Sequence, residues 1–317
     1  MKIIAQAPTR ISLFGGGTDL PVFYKKHGGL VISMAINLYQ YIELTSGTEH
    51  FFSMPENGSV DFYKAFFTEF DLPFDNFNIK ASSDAPIQSG LGSSASAAVA
   101  LVAALARVKE VKMSQRQIAE KAWEVCNKKL GLYSGKQDEY AAAFGEMSVI
   151  RFSRSGVRPR PVWKSQAREL SENILLFYTG SNRKDAKIQE GLKNLSTEKE
   201  NALSVISELA EAAISDFEEG SYTLFELDTL ADLLNQSWDA KKKSNNVTTP
   251  HIDLIYNTAI ASGALAGKGL GSGGGGFMAF LIEPEKQAGV IAELEKIPGA
   301  KHWDYNLDFN GVTTRIL

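Results

Sequence analysis

The residues of this chain that could do chemistry gather around glycine. Pro86 to Ala97 reads PIQSGLGSSASA. Gly90 and Gly92 let backbone amides approach an anion closely, and the helical stretch that follows offers unpaired N–H groups and the positive end of its dipole to a phosphate. Ser93 and Ser94 add hydroxyls at the same place. The order matches neither GxxxxGKS/T nor a GxGxxG after a first strand, so a P-loop NTPase and a dinucleotide enzyme both fit poorly. Taken alone, GLGSS is equally well a serine-glycine turn that caps a helix.

Two further stretches have the same character. Ala7 to Pro21, APTRISLFGGGTDLP, places Gly15 to Gly17 between Arg10 and Asp19. One fixed cation, one carboxylate and an open backbone suit a polyhydroxylated ligand, phosphorylated or not; a glycine hairpin with a surface ion pair is the plainer alternative. Gly267 to Phe280, GKGLGSGGGGFMAF, carries four consecutive glycines, Gly273 to Gly276. Such a run costs chain entropy, which argues for a backbone passing close to a ligand or another loop, with a wide turn as the alternative. Asp138, in GKQDEYAAAFG, is a carboxylate just after a glycine turn, where a helix N-cap is the default reading.

These loops need elements to hold them. Lys2 to about Thr45 reads as short strands, KIIAQA, ISLF, LVISMAI and YQYIELT, punctuated by Gly15 to Gly17 and Gly28 to Gly29, which predicts an antiparallel start. NIKAS is another strand, then the first loop, then the Ala-rich helix SSASAAVALVAALARV. Ser114 to Leu130 predicts one helix with a Ser114/Gln117 capping box. MSVIRF reads as a strand and VRPRPVWKS as a connection between domains, with the boundary near residue 160. The second half reads as a strand, NILLFYTG, two or three amphipathic helices between Asp185 and Lys243, then helix, glycine loop, the strand FMAFLI, helix and short terminal strands. The mixture without strict βαβ alternation points to α+β.

Composition sets the outer bounds. The chain has 317 residues, 44% hydrophobic and 22% charged, long enough for two moderate domains. Net charge is -4 and the positive residues are dispersed apart from Lys241 to Lys243, so no basic face is predicted for nucleic acid or membrane. MKIIAQAPTRISLF lacks the continuous apolar core of a signal peptide, and no segment supplies an uninterrupted span. A cytoplasmic setting is expected. The single cysteine, Cys126, excludes an internal disulfide framework, and His27, His50, His251 and His302 show no ligand spacing.

The three glycine stretches, in this order at the beginning, middle and end of the chain, resemble the three signature motifs of the GHMP superfamily, named for galactokinase, homoserine kinase, mevalonate kinase and phosphomevalonate kinase. RISLFGGGTDLPVFYKKHGGLVISMAINLYQY, GKQDEYAAAFG, LLFYTGSNRKDAKI and HIDLIYNTAIASGALAGKGLGSGGGGF are similar to the D-glycero-D-manno-heptose 7-phosphate kinase subgroup, which has GGGTD where galactokinases have GEHTD. The resemblance implies a two-domain fold, residues 1–160 forming an N-terminal ribosomal-S5-domain-2-like nucleotide-binding domain and 161–317 a ferredoxin-like C-terminal domain. It implies ATP and Mg²⁺ as the co-substrate and metal, a sugar or sugar phosphate as partner, and phosphorylation of the anomeric hydroxyl, with oligomeric state left open.

Residue by residue, the resemblance makes Asp138 the catalytic base and Arg10 the cation beside it. Gly90, Leu91, Gly92, Ser93, Ser94 and Ala95 become the nucleotide-phosphate loop, with Ser94 facing the metal. Gly16, Gly17, Asp19, Gly274 and Gly275 fall to the substrate, and Arg183, in TGSNRKD, to its distal phosphate, the alternative being a solvated pair with Lys184 at a helix start. One position departs from the pattern: Cys126 stands where the subgroup has a glutamate resembling the superfamily's Mg²⁺ carboxylate. Glu124 lies two residues earlier, on another helix face, and does not replace it.

Overall fold

The computed structural model describes residues 1–47, 52–53, 59–86, 88–181, 195–216, 222–224, 226–244 and 247–317. Two long strands, β1 (Lys2–Phe14) and β2 (Gly29–Ser46), pair antiparallel along almost their whole length and are joined through α1 (Pro21–His27). The sequence reads as four short strands because of its interruptions; the structure absorbs these as register shifts at Pro8/Thr9 and Ser12/Phe14. β2 serves two partners. Its first half, Gly29–Met34, pairs with β5 (Met147–Ser153), and its second half, Gln40–Ser46, pairs with β4 (Phe77–Ser83). β3 (Phe52–Ser53) lies parallel beside β4, and β6 (Gly156–Pro161) closes the other edge against β5.

The stretch VRPRPVWKS, expected as a connection, therefore begins as strand β6. Pro159 and Pro161 sit in a strand paired on one side only, where a missing N–H costs no ladder bond. The C-terminus adds a further strand to this sheet. β13 (Thr313–Ile316) returns to pair with Ile3–Gln6 of β1, so the last strand belongs to the first sheet, although the expected division at residue 160/161 puts it with the second half.

On one face of this seven-stranded sheet lie α2 (Val60–Glu69), α3 (Ser93–Val108), α4 (Gln115–Glu124) and α5 (Gln137–Phe144). α3 is buried almost all round, and its alanines let it pack closely against β1, β2 and α5. α4 has the expected Ser114/Gln117 capping box, but the helix does not run on to Leu130: at Val125–Lys129 it widens into a π-turn. The other face meets the second domain. Period-two alternation in β2 sends Val31 toward the helices and Leu30, Ile32 and Met34 toward the second sheet, so the strand is apolar on both sides. Each of those three side chains contributes roughly 1.5 to 3 kcal/mol by leaving water.

The second domain is a four-stranded antiparallel sheet in the order β10 (Ala266–Gly269), β11 (Phe277–Leu281), β7 (Ile174–Tyr178), β12 (Lys301–His302). Around it pack α6 (Lys164–Glu172), α7 (Thr197–Ala212), α8 (Leu227–Ser244), α9 (Pro250–Ala261) and α10 (Pro284–Leu294), with a small pair β8 (Ile214–Asp216) and β9 (Tyr222–Leu224). The two-domain α+β plan is as expected. No helix among the described residues is long and apolar enough to cross a membrane.

Candidate active site

The loop before α3 is where the two domains meet. Gly92 is the residue before the helix, in the left-handed region at φ 80°, and no side chain caps the helix start. The first intrahelical bond runs from Ser96 N–H to Gly92 O, leaving the amides of Ser93, Ser94 and Ala95 without acceptors in the helix. Ser94 is exposed, whereas the buried hydroxyls of Ser89 and Ser93 have no hydrogen-bond partner. Orphan donors at a helix N-terminus make an anion site.

Arg10 fixes this loop to the candidate base. From β1 its Nε donates to Asp138 Oδ1 at 2.8 Å, Nη2 lies 2.7 Å from the same oxygen, and Nη1 donates to Gly90 O at 2.6 Å. Backbone bonding reinforces the arrangement, Arg10 N–H donating to Leu91 O at 3.0 Å. The arginine side chain is 4% exposed and the Asp138 carboxylate 28% exposed, so the cation is interior and the carboxylate faces an opening. A Cβ placed on Gly92 would lie 3.1 Å from the Asp138 carboxyl carbon, so the phosphate loop and the carboxylate are in contact distance.

Asp19 is set one layer behind. Its Oδ2 accepts from Gln137 N–H at 2.9 Å and its Oδ1 from Gly17 N–H at 3.1 Å, tying the Gly15–Gly17 turn to the start of α5. Burial pushes its carboxyl up to about 6, the charge of Asp138 adds to this, and the Gln137 and Gly17 amides oppose it. Gly135 explains the neighbouring glycine: a Cβ there would fall 1.8 Å from Asp19 Oδ2. Gly16 lies beside Ser12 and Gln137, with its Cβ position 3.2 Å from Ser12 Oγ.

The glycine run closes the floor. Phe277 N–H donates to Ser89 O at 2.8 Å, and Gly276, at φ 82°, has its Cβ position 2.2 Å from that same oxygen, so no larger residue fits. Gly274 and Gly275 lie beyond this contact; Gly274 donates to Val247 O and has open space around its Cβ position. Arg183 and Lys184 lie outside the described residues.

Several contributors had no clear sequence signal. Lys268, in β10, is buried and donates from Nζ to Leu13 O at 2.7 Å, spanning the two domains just before the glycine turn. Burial first, and then the charge of Arg10, push its ammonium down to about 7. Asn127, in the π-turn, accepts from Ser134 N–H at 2.9 Å and donates to Ser134 Oγ at 3.0 Å, fixing the segment that leads to Asp138. Ser12 Oγ donates to Gln137 Oε1 at 2.8 Å. Glu139, next to the candidate base, is buried with Oε2 unpartnered, and burial, with Asp138 adding, raises its carboxyl well above the ordinary range. Burial also raises the Cys126 thiol, with the Glu139 charge adding to it. Among the described residues no group of three His, Cys, Asp or Glu could hold a metal ion.

The arrangement offers an anion cradle, a partly open carboxylate held by a buried cation, and a buried second carboxylate behind a glycine turn. Such a set suits transfer of a phosphoryl group to a hydroxyl, in which positioning and charge neutralisation do most of the work. Comparison with known proteins agrees. Residues 59–146 match the model of the GHMP kinases N-terminal domain and residues 213–299 that of the GHMP kinases C-terminal domain. The chain is 32% identical to the D-glycero-alpha-D-manno-heptose 7-phosphate kinase of Campylobacter jejuni, over 94% of this chain and 95% of that protein. It is 24% identical to a mevalonate kinase of Thermococcus gammatolerans over 93% of each. Among solved structures, a D-glycero-D-manno-heptose 1-phosphate kinase from Bacteriodes thetaiotaomicron superimposes with a TM-score of 0.75 at 24% identity, covering 99% of both chains. The galactokinase of Lactococcus lactis with galactose gives 0.76 at 18% identity, over 98% of this chain and 95% of that one.

Proposed function

The chain belongs to the GHMP kinase family, and from that premise we propose that it transfers the γ-phosphoryl group of ATP to the anomeric hydroxyl of a sugar phosphate, D-glycero-D-manno-heptose 7-phosphate, giving the 1,7-bisphosphate. The observation that carries the reading is the contact of Arg10 with both Asp138 and the Gly90 carbonyl, which sets a carboxylate against the phosphate loop. Asp138 accepts the proton of the attacking hydroxyl. Arg10 holds that carboxylate and offsets charge developing on the transferred group. The amides of Ser93, Ser94 and Ala95 face the nucleotide phosphates, and Asp19 orients sugar hydroxyls from behind the Gly15–Gly17 turn.

Mg²⁺ fits these residues as an ion carried in on the nucleotide rather than held in a protein cage. It keeps most of its waters and needs few side chains, and the exposed Ser94 hydroxyl at the helix start is available to it. When bound, the ion would neutralise charge on the phosphates.

The named heptose kinases differ in which end of the sugar is already phosphorylated, and the product distinguishes them. ADP release should be measured across heptose 7-phosphate, heptose 1-phosphate and unphosphorylated heptose, fucose and N-acetylhexosamines, and the product read by phosphorus NMR. A new anomeric phosphate on heptose 7-phosphate is the expected result; preference for an unphosphorylated sugar would replace the substrate assignment. Arg183, as distal-phosphate donor, should matter for the 7-phosphate and not for the sugar lacking it. Cys126 favours one other reading, an ATP-binding protein with weak transfer, which ATP binding without ADP release across the whole panel would establish.

A further inference from the structure

The positive residues look dispersed along the sequence, yet the fold brings a set of them together away from the phosphate loop. α1 ends in Lys25, Lys26 and His27, and the β5–β6 hairpin carries Arg151, Arg154 and Arg158 beside it. Between these elements and α7 lies a cavity of about 360 Å³ lined by His27, Arg151, Arg158, Ser153, Ser155 and Ser207, with Glu211 as its one carboxylate. That volume is of the size that takes a small organic molecule.

The hairpin register makes the cavity's charge informative. Arg151 and Arg158 are directly opposed in the antiparallel pair, where two like charges on one face destabilise the sheet. Glu211 of α7 offsets one of them by a bidentate pair with Arg151. His27 is likewise engaged, with Glu200. The Arg158 side chain has no hydrogen bond or ion pair with any described residue, and it is exposed. Both partners of the Arg151–Glu211 pair are more than a third exposed, so that pair is weak and can give way to a stronger acceptor.

We propose that this cavity binds the phosphate group of a small phosphorylated molecule, with Arg158 as its anchor, Arg151 turning from Glu211 to the phosphate, and Ser153, Ser155 and Ser207 supplying hydroxyl donors. Guanidinium forks match a phosphate bidentately, and a dianion competes well with a single carboxylate. The position also relates it to the candidate active site. α7 touches the glycine turn through Leu203, whose side chain lies 2.9 Å from the Cβ position of Gly17, and Ser207 is one turn further along the same helix. The phosphate could thus belong to the acceptor's distal end or to a separate effector, and the inference does not depend on the kinase reading.

The test is direct binding without nucleotide. Inorganic phosphate and D-mannose 6-phosphate are titrated by calorimetry against the full chain at constant ionic strength, with chloride as the matching anion. Arg158→Gln and Arg151→Gln should each weaken binding by about tenfold or more, and Glu211→Gln should strengthen it by removing the competing carboxylate. If Asp19→Asn also weakens mannose 6-phosphate binding while sparing inorganic phosphate, the phosphate is the acceptor's own; if it affects neither, a separate effector is the source. Unchanged affinity in folded Arg158→Gln, or no binding of either probe to the wild type up to about 10 mM, overturns the proposal.

Discussion

Asp138→Asn tests the central assignment, because its two consequences differ in size. Asn keeps the shape and one oxygen acceptor, but it removes the negative charge beside Arg10, whose side chain is 4% exposed and whose remaining partner is the Gly90 carbonyl. Lys268, whose ammonium feels the charge of Arg10, is itself a cation and adds no counter-charge. Leaving the guanidinium buried without a counter-charge should cost about 2 to 4 kcal/mol, between the values for exposed and fully buried pairs. That lowers Tm by roughly 3 to 6 °C in a chain of this size. Loss of the proton acceptor should lower kcat by about 10² to 10⁴. Even the larger stability loss leaves most molecules folded at 20 °C if the wild type has the usual 5 to 15 kcal/mol, roughly, in hand. ADP release at 20 °C, with urea denaturation on the same preparation, separates the two effects. Turnover within about threefold of wild type in a folded variant refutes the base assignment. An unchanged urea midpoint refutes the buried ion pair, and the double variant Arg10→Met/Asp138→Asn should then be merely additive rather than less damaging than the sum.

The remaining expectations concern the neighbours. Gly135→Ala places a methyl 1.8 Å from Asp19 Oδ2, so it should raise KM for the sugar with little change in KM for ATP; equal effects on both would contradict a role for Asp19 confined to the acceptor. Ser94→Ala should weaken nucleotide binding in the presence of Mg²⁺ more than in EDTA, measured by fluorescence titration, and equal weakening would remove Ser94 from the metal. Asp19, raised from 3.8 to about 6, binds more protons folded than unfolded between those values, so its contribution to stability falls as pH rises from 4 to 6. Lys268, lowered from 10.5 to about 7, binds fewer protons folded than unfolded, so its contribution is lost as pH falls from 10.5 to 7. Urea midpoints across pH should therefore show Lys268→Met gaining on the wild type most below pH 7 and least above pH 10; a difference independent of pH would show that the ammonium is not buried.

What the sequence revealed about this site follows from what glycine and serine can say locally. GLGSS, GGGTD and the four-glycine run are legible because close approach of backbone to backbone or ligand excludes side chains, and the structure brings all three together through Arg10, Gln137 and the Gly276–Ser89 contact. Lys268 was not legible. AGKG carries no pattern that marks its lysine as buried, since that depends on β10 lying against Leu13, more than 250 residues away in the chain. The same holds for the basic cavity, where α1 and the β5–β6 hairpin are far apart in sequence and adjacent only because β2 pairs with β5. β6 is not legible for a physical reason: proline signals a connector, and only the strand's place at an edge makes Pro159 and Pro161 acceptable.

The dipeptide Asp138-Glu139 shows the limit most sharply. Both residues are carboxylic acids in the first turn of α5, and residue type alone does not say which one faces the reaction. Consecutive positions on a helix point about 100° apart, so one axis can send them to opposite environments. Here Asp138 points to Arg10 and the phosphate loop and remains partly open, while Glu139 points inward beside Cys126 with its carboxyl raised by burial. A partly open carboxylate paired with a cation can accept a proton from an incoming hydroxyl. A buried carboxyl pushed toward its neutral form, with no route to the opening, is poorly suited to that task. Glu139→Gln should consequently keep turnover within about tenfold of wild type and raise stability increasingly as pH rises above the ordinary carboxylate range, where folding the wild type requires Glu139 to keep a proton that the unfolded chain releases. A loss in ADP release as large as that of Asp138→Asn would reverse the two assignments.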